Sequence, residues 1–242
     1  MSLSAAPGVG RAPRDEPVAP WWHTVMVMAP IAAASIASGY QHGYPDAHLP
    51  GLEPRLSSYL TVLVVEWLPV VLIWRALRSR GLPLAALIGG RWPNALAFLR
   101  DLGLGAGLLV VAALAIDPLG SLLGAKALEG TLAHVIPQTP LELAVYLVMA
   151  LSAGFCEELI FRGYLMRQLS AWTGSRTAGL LLQGIVFGLA HAYYRWVMVA
   201  ITVLAWLLGL LARWRRSLLP GMLFHAVQDS LGGVIAFVTR RA

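Results

Sequence analysis

Charge is what this chain has least of. Only 12% of its 242 residues are Asp, Glu, Lys or Arg, whereas 58% are hydrophobic; soluble domains carry about 25% charged residues. With a mean hydropathy of +0.69, that balance excludes a soluble globular protein and identifies an integral membrane protein. Cysteine occurs once, at Cys156, so no internal disulfide can form and the redox compartment stays open. No Gly-x-Ser-x-Gly elbow, His-Glu-x-x-His zinc helix or Gly-rich phosphate loop occurs, which removes three common catalytic signatures. The net charge of +6 comes almost wholly from arginine in the polar stretches, with no basic patch interleaved with aromatics. It therefore reads as membrane topology and speaks against nucleic acid as a partner.

What is present is a series of apolar runs. They lie at 22–40, 56–77, 102–119, 141–169, 178–194, 196–212 and 218–238 and predict an all-α polytopic membrane helix bundle of about seven transmembrane helices. Residues 1–20, rich in Pro, Gly and Ala without an apolar period, read as a disordered leader. Residues 21–140 form three N-terminal spans with their loops, and 141–242 a four-helix core. The first run reads as a retained span and not a cleaved signal peptide, because it is long and opens on the Trp21-Trp22 pair, suited to the membrane interface. Gly103 and Gly107 give the third run a small-xxx-small face for close helix packing.

Basic residues favour one side. With the N-terminus in the cytoplasm, Arg11, Arg14, Arg75, Arg78, Arg80, Arg91, Arg100, Arg162, Arg167, Arg176, Arg213, Arg215 and Arg216 fall inside. Arg55, Lys126, Arg195, Arg240 and Arg241 fall outside. The asymmetry predicts N-terminus in and C-terminus out.

Ionisable groups inside the runs are few, and each costs about 2.5–3.5 kcal/mol on insertion scales. Three of them fall within six residues, in Glu157-Glu158-x-x-x-Arg162. On a helix Glu158 and Arg162 stand four apart and can pair, leaving Glu157 to address another group. Downstream, Phe187-x-x-x-His191 sets an aromatic and a histidine on one helix face, and His225-x-x-x-Asp229 a histidine and an acid. If the fourth and fifth runs turn at Thr173-Gly174-Ser175, Glu157 lies about 16 residues before the turn and His191 about 18 after it. At about 1.5 Å per residue they share a depth, and His225 and Asp229 can reach it. A carboxylate and imidazole sharing a buried water suit general-base hydrolysis, and a second imidazole with a hydrogen-bonding neighbour suits an oxyanion. Cys156, a thiol in an apolar helix, reads as packing. Glu66, the buried acid outside these motifs, is open to a functional role, a structural pair or a lumen-facing position. His134 reads as an exposed loop residue.

The three ordered motifs resemble the CPBP family, the CAAX-protease and bacteriocin-processing intramembrane endopeptidases also called Abi proteins. The resemblance covers about residues 141–238 and implies an intramembrane endopeptidase of the glutamic type. It puts water activation on Glu157 and His191, the oxyanion site on His225 and Asp229, and support on Glu158 and Arg162. The family often carries Asn where this chain has Asp229. An aspartate there could hold a proton and donate, or stay ionised and orient His225. The implied substrates are membrane-associated proteins or peptides: prenylated C-termini, peptide signals, bacteriocins or C-terminal sorting signals. The implied setting is a bacterial-type inner (plasma) membrane. No cofactor is required, although the same residues could bind zinc in a metal-dependent version of the protease. A non-enzymatic immunity or scaffold protein that kept the fold is the remaining alternative.

Overall fold

The computed structural model describes residues 16–40, 49, 51–123 and 135–239. Most of the expected leader, His134, Lys126 and the terminal arginines lie outside these residues. The described chain is all-helical. Its long helices are α1 Trp21–Tyr40, α2 Pro54–Arg78, α3 Ala95–Leu122, α4 Pro140–Thr173, α5 Arg176–Ala190, α6 Met198–Arg215 and α7 Leu219–Thr239. Five are long and apolar enough to cross a membrane: α2, α3, α4, the segment Ala192–Arg215 that contains α6, and α7. Helix α5, with 15 residues, spans about 22 Å against a hydrocarbon core of about 30 Å.

Helix α4 is the axis of the bundle. Its start is a capping box, with Thr139 accepting from the Glu142 backbone N–H while the Glu142 carboxylate reaches back, and Pro140 at the first helical position. It stops at Gly174, whose φ of 64° takes the left-handed cap, and Ser175 then caps α5. This is the turn expected at 173–175. Between Glu158 and Leu165 the helix widens into a π-helix in which every residue is buried. Leu159, Ile160, Phe161 and Leu165 there pack with Val27, Ile73, Leu87 and Phe187 into the main core. Large apolar side chains such as Val64, Leu114 and Trp214 point outward, as a lipid-facing surface requires.

One end of the bundle is held by arginine. Arg80 donates to the Pro17 carbonyl, Arg167 to the Ala86 and Leu87 carbonyls, and Arg213 to that of Arg176. Arg215 pairs with the buried Asp101 at 3.0 Å. Arg162 does not belong with them. It is buried inside α4 and adds nothing to the loop asymmetry in which the sequence reading placed it.

The expected packing face on α3 is also corrected. Side chains added at Gly103 or Gly107 would meet nothing within 4 Å, whereas one at Gly105 would meet the Phe224 backbone at 3.7 Å. Asp101, drawn inward by Arg215, fixes the rotation of α3 and turns Gly105, four residues on, toward α7. Gly103 and Gly107 are thereby carried away from it.

Candidate active site

Two glycines let α4 and α7 meet closely enough to build the site. A Cβ at Gly154 would stand 2.6 Å from the Ala226 backbone nitrogen, and one at Gly221 would stand 2.8 Å from a carboxylate oxygen of Glu158. A side chain at Gly154 would force the α7 backbone away, and one at Gly221 would displace the Glu158 carboxylate. The approach of the two helices delivers His225 of α7 onto the two glutamates of α4. His225 Nδ1 lies 3.4 Å from Glu158 Oε1, and Nε2 lies 3.6 Å from Glu157 Oε2 and 3.4 Å from Asp229 Oδ2. Three carboxylates thus surround one imidazole. With a proton on each nitrogen, His225 would offer Nδ1–H to Glu158 and Nε2–H to the side that Glu157 and Asp229 share.

Glu158 and Arg162 pair as the i,i+4 spacing predicts, at 3.1 Å, both fully buried. The contact is close but not an aligned hydrogen bond, for both groups keep buried atoms without one. Attraction in this dry setting is Coulombic. The Arg162 guanidinium also lies 4.2 Å over the Phe187 ring. Phe187 is a hub that its motif did not disclose: its ring meets Phe161 edge-on at 4.8 Å, His191 at 4.6 Å and His225 at 6.3 Å.

His191 differs from its expected place. It is the C-cap of α5, with φ −106° and ψ 22°, and not a residue inside a span reaching 194; a 3-10 segment, Ala192–Val197, follows. Its ring supplies the reason, since Nδ1 lies 2.8 Å from the Phe187 carbonyl. That carbonyl belongs to the last turn and lacks a helical donor. A carbonyl can only accept, so Nδ1 carries the proton and Nε2 keeps its lone pair.

A cavity of about 340 Å³ joins these groups: Glu157, His191, His225 and Asp229 all line it. Arg162 and Glu158 stand behind the wall. Glu66 of α2, whose role the sequence left open, lines the same cavity. Its only sequence signal was a charge in mid-span. Cys156 is buried with its sulfur 3.7 Å from the Ser152 hydroxyl. Among the described residues no group of three or more His, Cys, Asp and Glu is placed to hold a metal ion.

Fold and site together define a polytopic helical membrane protein with a buried carboxylate–imidazole centre. Residues 139–231 match the family model of the type II CAAX prenyl endopeptidases, Rce1-like. The uncharacterized protein YpbD of Bacillus subtilis (strain 168) is 29% identical over 86 residues, 34% of this chain and 41% of YpbD. The chain thus matches less than half the length of that relative. No solved structure matches.

Proposed function

We propose that this protein is an intramembrane endopeptidase that hydrolyses peptide bonds of membrane-associated proteins or peptides. The observation that carries the reading is the meeting of Glu157, His191, His225 and Asp229, from three helices, on one cavity inside a segment that matches the CAAX-endopeptidase model. Glu157 and the free Nε2 of His191 would share a water, take its proton and direct its oxygen at the scissile carbonyl. As that carbonyl becomes tetrahedral, His225 Nε2–H would face the oxyanion, held by Glu158 behind the ring and Asp229 beside it. The 3.4 Å contact of Asp229 with Nε2 favours an orienting role for this residue over direct donation. Collapse of the intermediate returns the proton to the leaving amine. Glu158 and Arg162 neutralise each other and keep the charge at the wall fixed.

The arginines gathered at one end of the bundle support a cytoplasmic N-terminus in a bacterial-type inner membrane. A reporter fused after Thr239 should read the opposite side; a cytoplasmic signal there overturns the orientation. The activity itself is tested by comparing the termini of membrane proteins in cells with the active chain and with an inactive variant. New C-terminal or N-terminal ends that depend on the active chain are expected. Identical termini in both would sink the reading.

A further inference from the structure

One carboxylate oxygen of Glu66 has no partner among the described residues. Glu66 sits in the middle of α2, outside the segment that matches the family model. The residue is more than nine-tenths buried, yet its Oε2 has no hydrogen-bond partner. A carboxyl so placed is costly unless something pairs with it. It lines the cavity and lies close enough to Glu157, His225 and Asp229 to interact with their charges. Arg162, a buried cation of α4, is committed to Glu158 at 3.1 Å.

Its orientation is prepared. Trp67 donates its indole N–H to the Ser152 hydroxyl at 2.6 Å, and that hydroxyl lies within hydrogen-bonding reach of the Glu66 carboxyl. Trp67 itself is stacked on Phe155 at 5.7 Å. The helix is also weakened beside Glu66. Pro69 has no N–H to give the carbonyl of Val65, and Val65 also lines the cavity. Three carboxyl groups there, Glu66, Glu157 and Asp229, face two imidazoles, His191 and His225.

We propose that Glu66 is a specificity-determining residue that receives a cationic side chain, lysine or arginine, of the substrate close to the scissile bond. The proposal rests on the hydrolase reading for its substrate but not for its binding chemistry. A cation entering the cavity would gain a partner that the protein does not supply, and an apolar side chain of the same length would leave the carboxyl unpaired.

The test uses the full chain in lipid nanodiscs and three peptides that differ at one position, scanned across the cleaved region: lysine, norleucine or glutamate. Binding is measured in the Glu157→Gln chain and cleavage in the unaltered one. At one position lysine should bind about tenfold or more tighter than norleucine, the order expected for one charge-assisted hydrogen bond, and glutamate weakest. Adding Glu66→Gln should bring lysine and norleucine within about twofold, a neutral amide having lost the charge. Glu66→Asp should keep the sign of the preference. Equal binding of lysine and norleucine at every position overturns the proposal. So does a lysine preference that survives Glu66→Gln, or an equal loss for all three peptides in a variant whose melting temperature is retained. Lysine-selective binding without any cleavage by the unaltered chain would sink the hydrolase reading and leave the Glu66 assignment standing.

Discussion

Along α4, Tyr164 and Gln168 belong to a buried polar cluster with Ala19, His23 and Thr24, while Glu157, Glu158 and Arg162 belong to another with His225. In the first, every group finds a partner. Gln168 donates to the Ala19 carbonyl and to Thr24, and accepts from the Ala19 N–H. Thr24 bonds Tyr164 at 2.9 Å, Tyr164 bonds His23 Nδ1 at 2.8 Å, and His23 Nε2 reaches the Leu72 carbonyl. That carbonyl fixes the direction of the whole chain of bonds: Nε2 donates to it, so Nδ1 accepts from Tyr164 and the Tyr164 oxygen from Thr24. In the second cluster, Glu157, Glu158, Arg162 and His225 all keep buried polar atoms with no hydrogen bond. The closed network pins α1 to α4, whereas the second cluster, with Glu157 and His225 partly exposed, leaves its charged groups without hydrogen bonds, as the proposed chemistry requires.

The comparison is broken most severely at Glu157. Glu157→Gln keeps the shape but cannot accept a proton from water, so peptide cleavage should fall by about 100-fold to 10,000-fold with an unchanged melting temperature. Normal cleavage by this variant would remove the proposed base.

Next in size is Arg162→Met. It leaves Glu158 buried without its cation and should cost about 3–5 kcal/mol of stability, read from denaturant unfolding in detergent. Glu158→Gln should weaken the same region. A cost under about 1 kcal/mol, the level of an exposed pair, would show that the pair is hydrated and not buried as seen.

Asp229 tests the oxyanion side. Asp229→Asn can still hold the His225 ring and should keep at least about a tenth of the cleavage rate, while Asp229→Leu should lose about 100-fold, as for removal of one oxyanion-hole group. Equal and near-complete loss in both would move Asp229 out of the oxyanion role.

The smallest effect belongs to the closed network. Tyr164→Phe removes the donor to His23 and the acceptor for Thr24, and should cost about 1–3 kcal/mol of stability while the cleavage rate per folded molecule stays unchanged. A rate that falls with stability intact would mean that the two clusters communicate along α4.

Residues whose partners are near in sequence were legible beforehand. The Glu158–Arg162 pair, the alignment of His225 with Asp229 and the turn at 173–175 all follow from helical spacing or from Gly and Ser chemistry. His191 was legible as a candidate site residue but not as a cap, because its 2.8 Å bond to the Phe187 carbonyl is what ends the helix there. The π-helix over Glu158–Leu165 left no mark in the pattern, since one buried helix turn reads like another when all its faces are covered.

Composition by itself determined that this chain lives in a membrane, because so few charges cannot cover a soluble surface. Motif spacing, which samples only the three or four residues along a helix face, assembled each candidate pair on its own helix. The tertiary structure decided what those pairs face. It set His225 among Glu157, Glu158 and Asp229 by allowing α7 to close on Gly154 and Gly221. It turned α3 so that Gly105, and not Gly103 or Gly107, meets a neighbour. And it brought Glu66 from a helix without a motif to the cavity wall. These are contacts between distant segments, set by how whole helix faces pack, and a periodicity read along one helix carries no information about its neighbour.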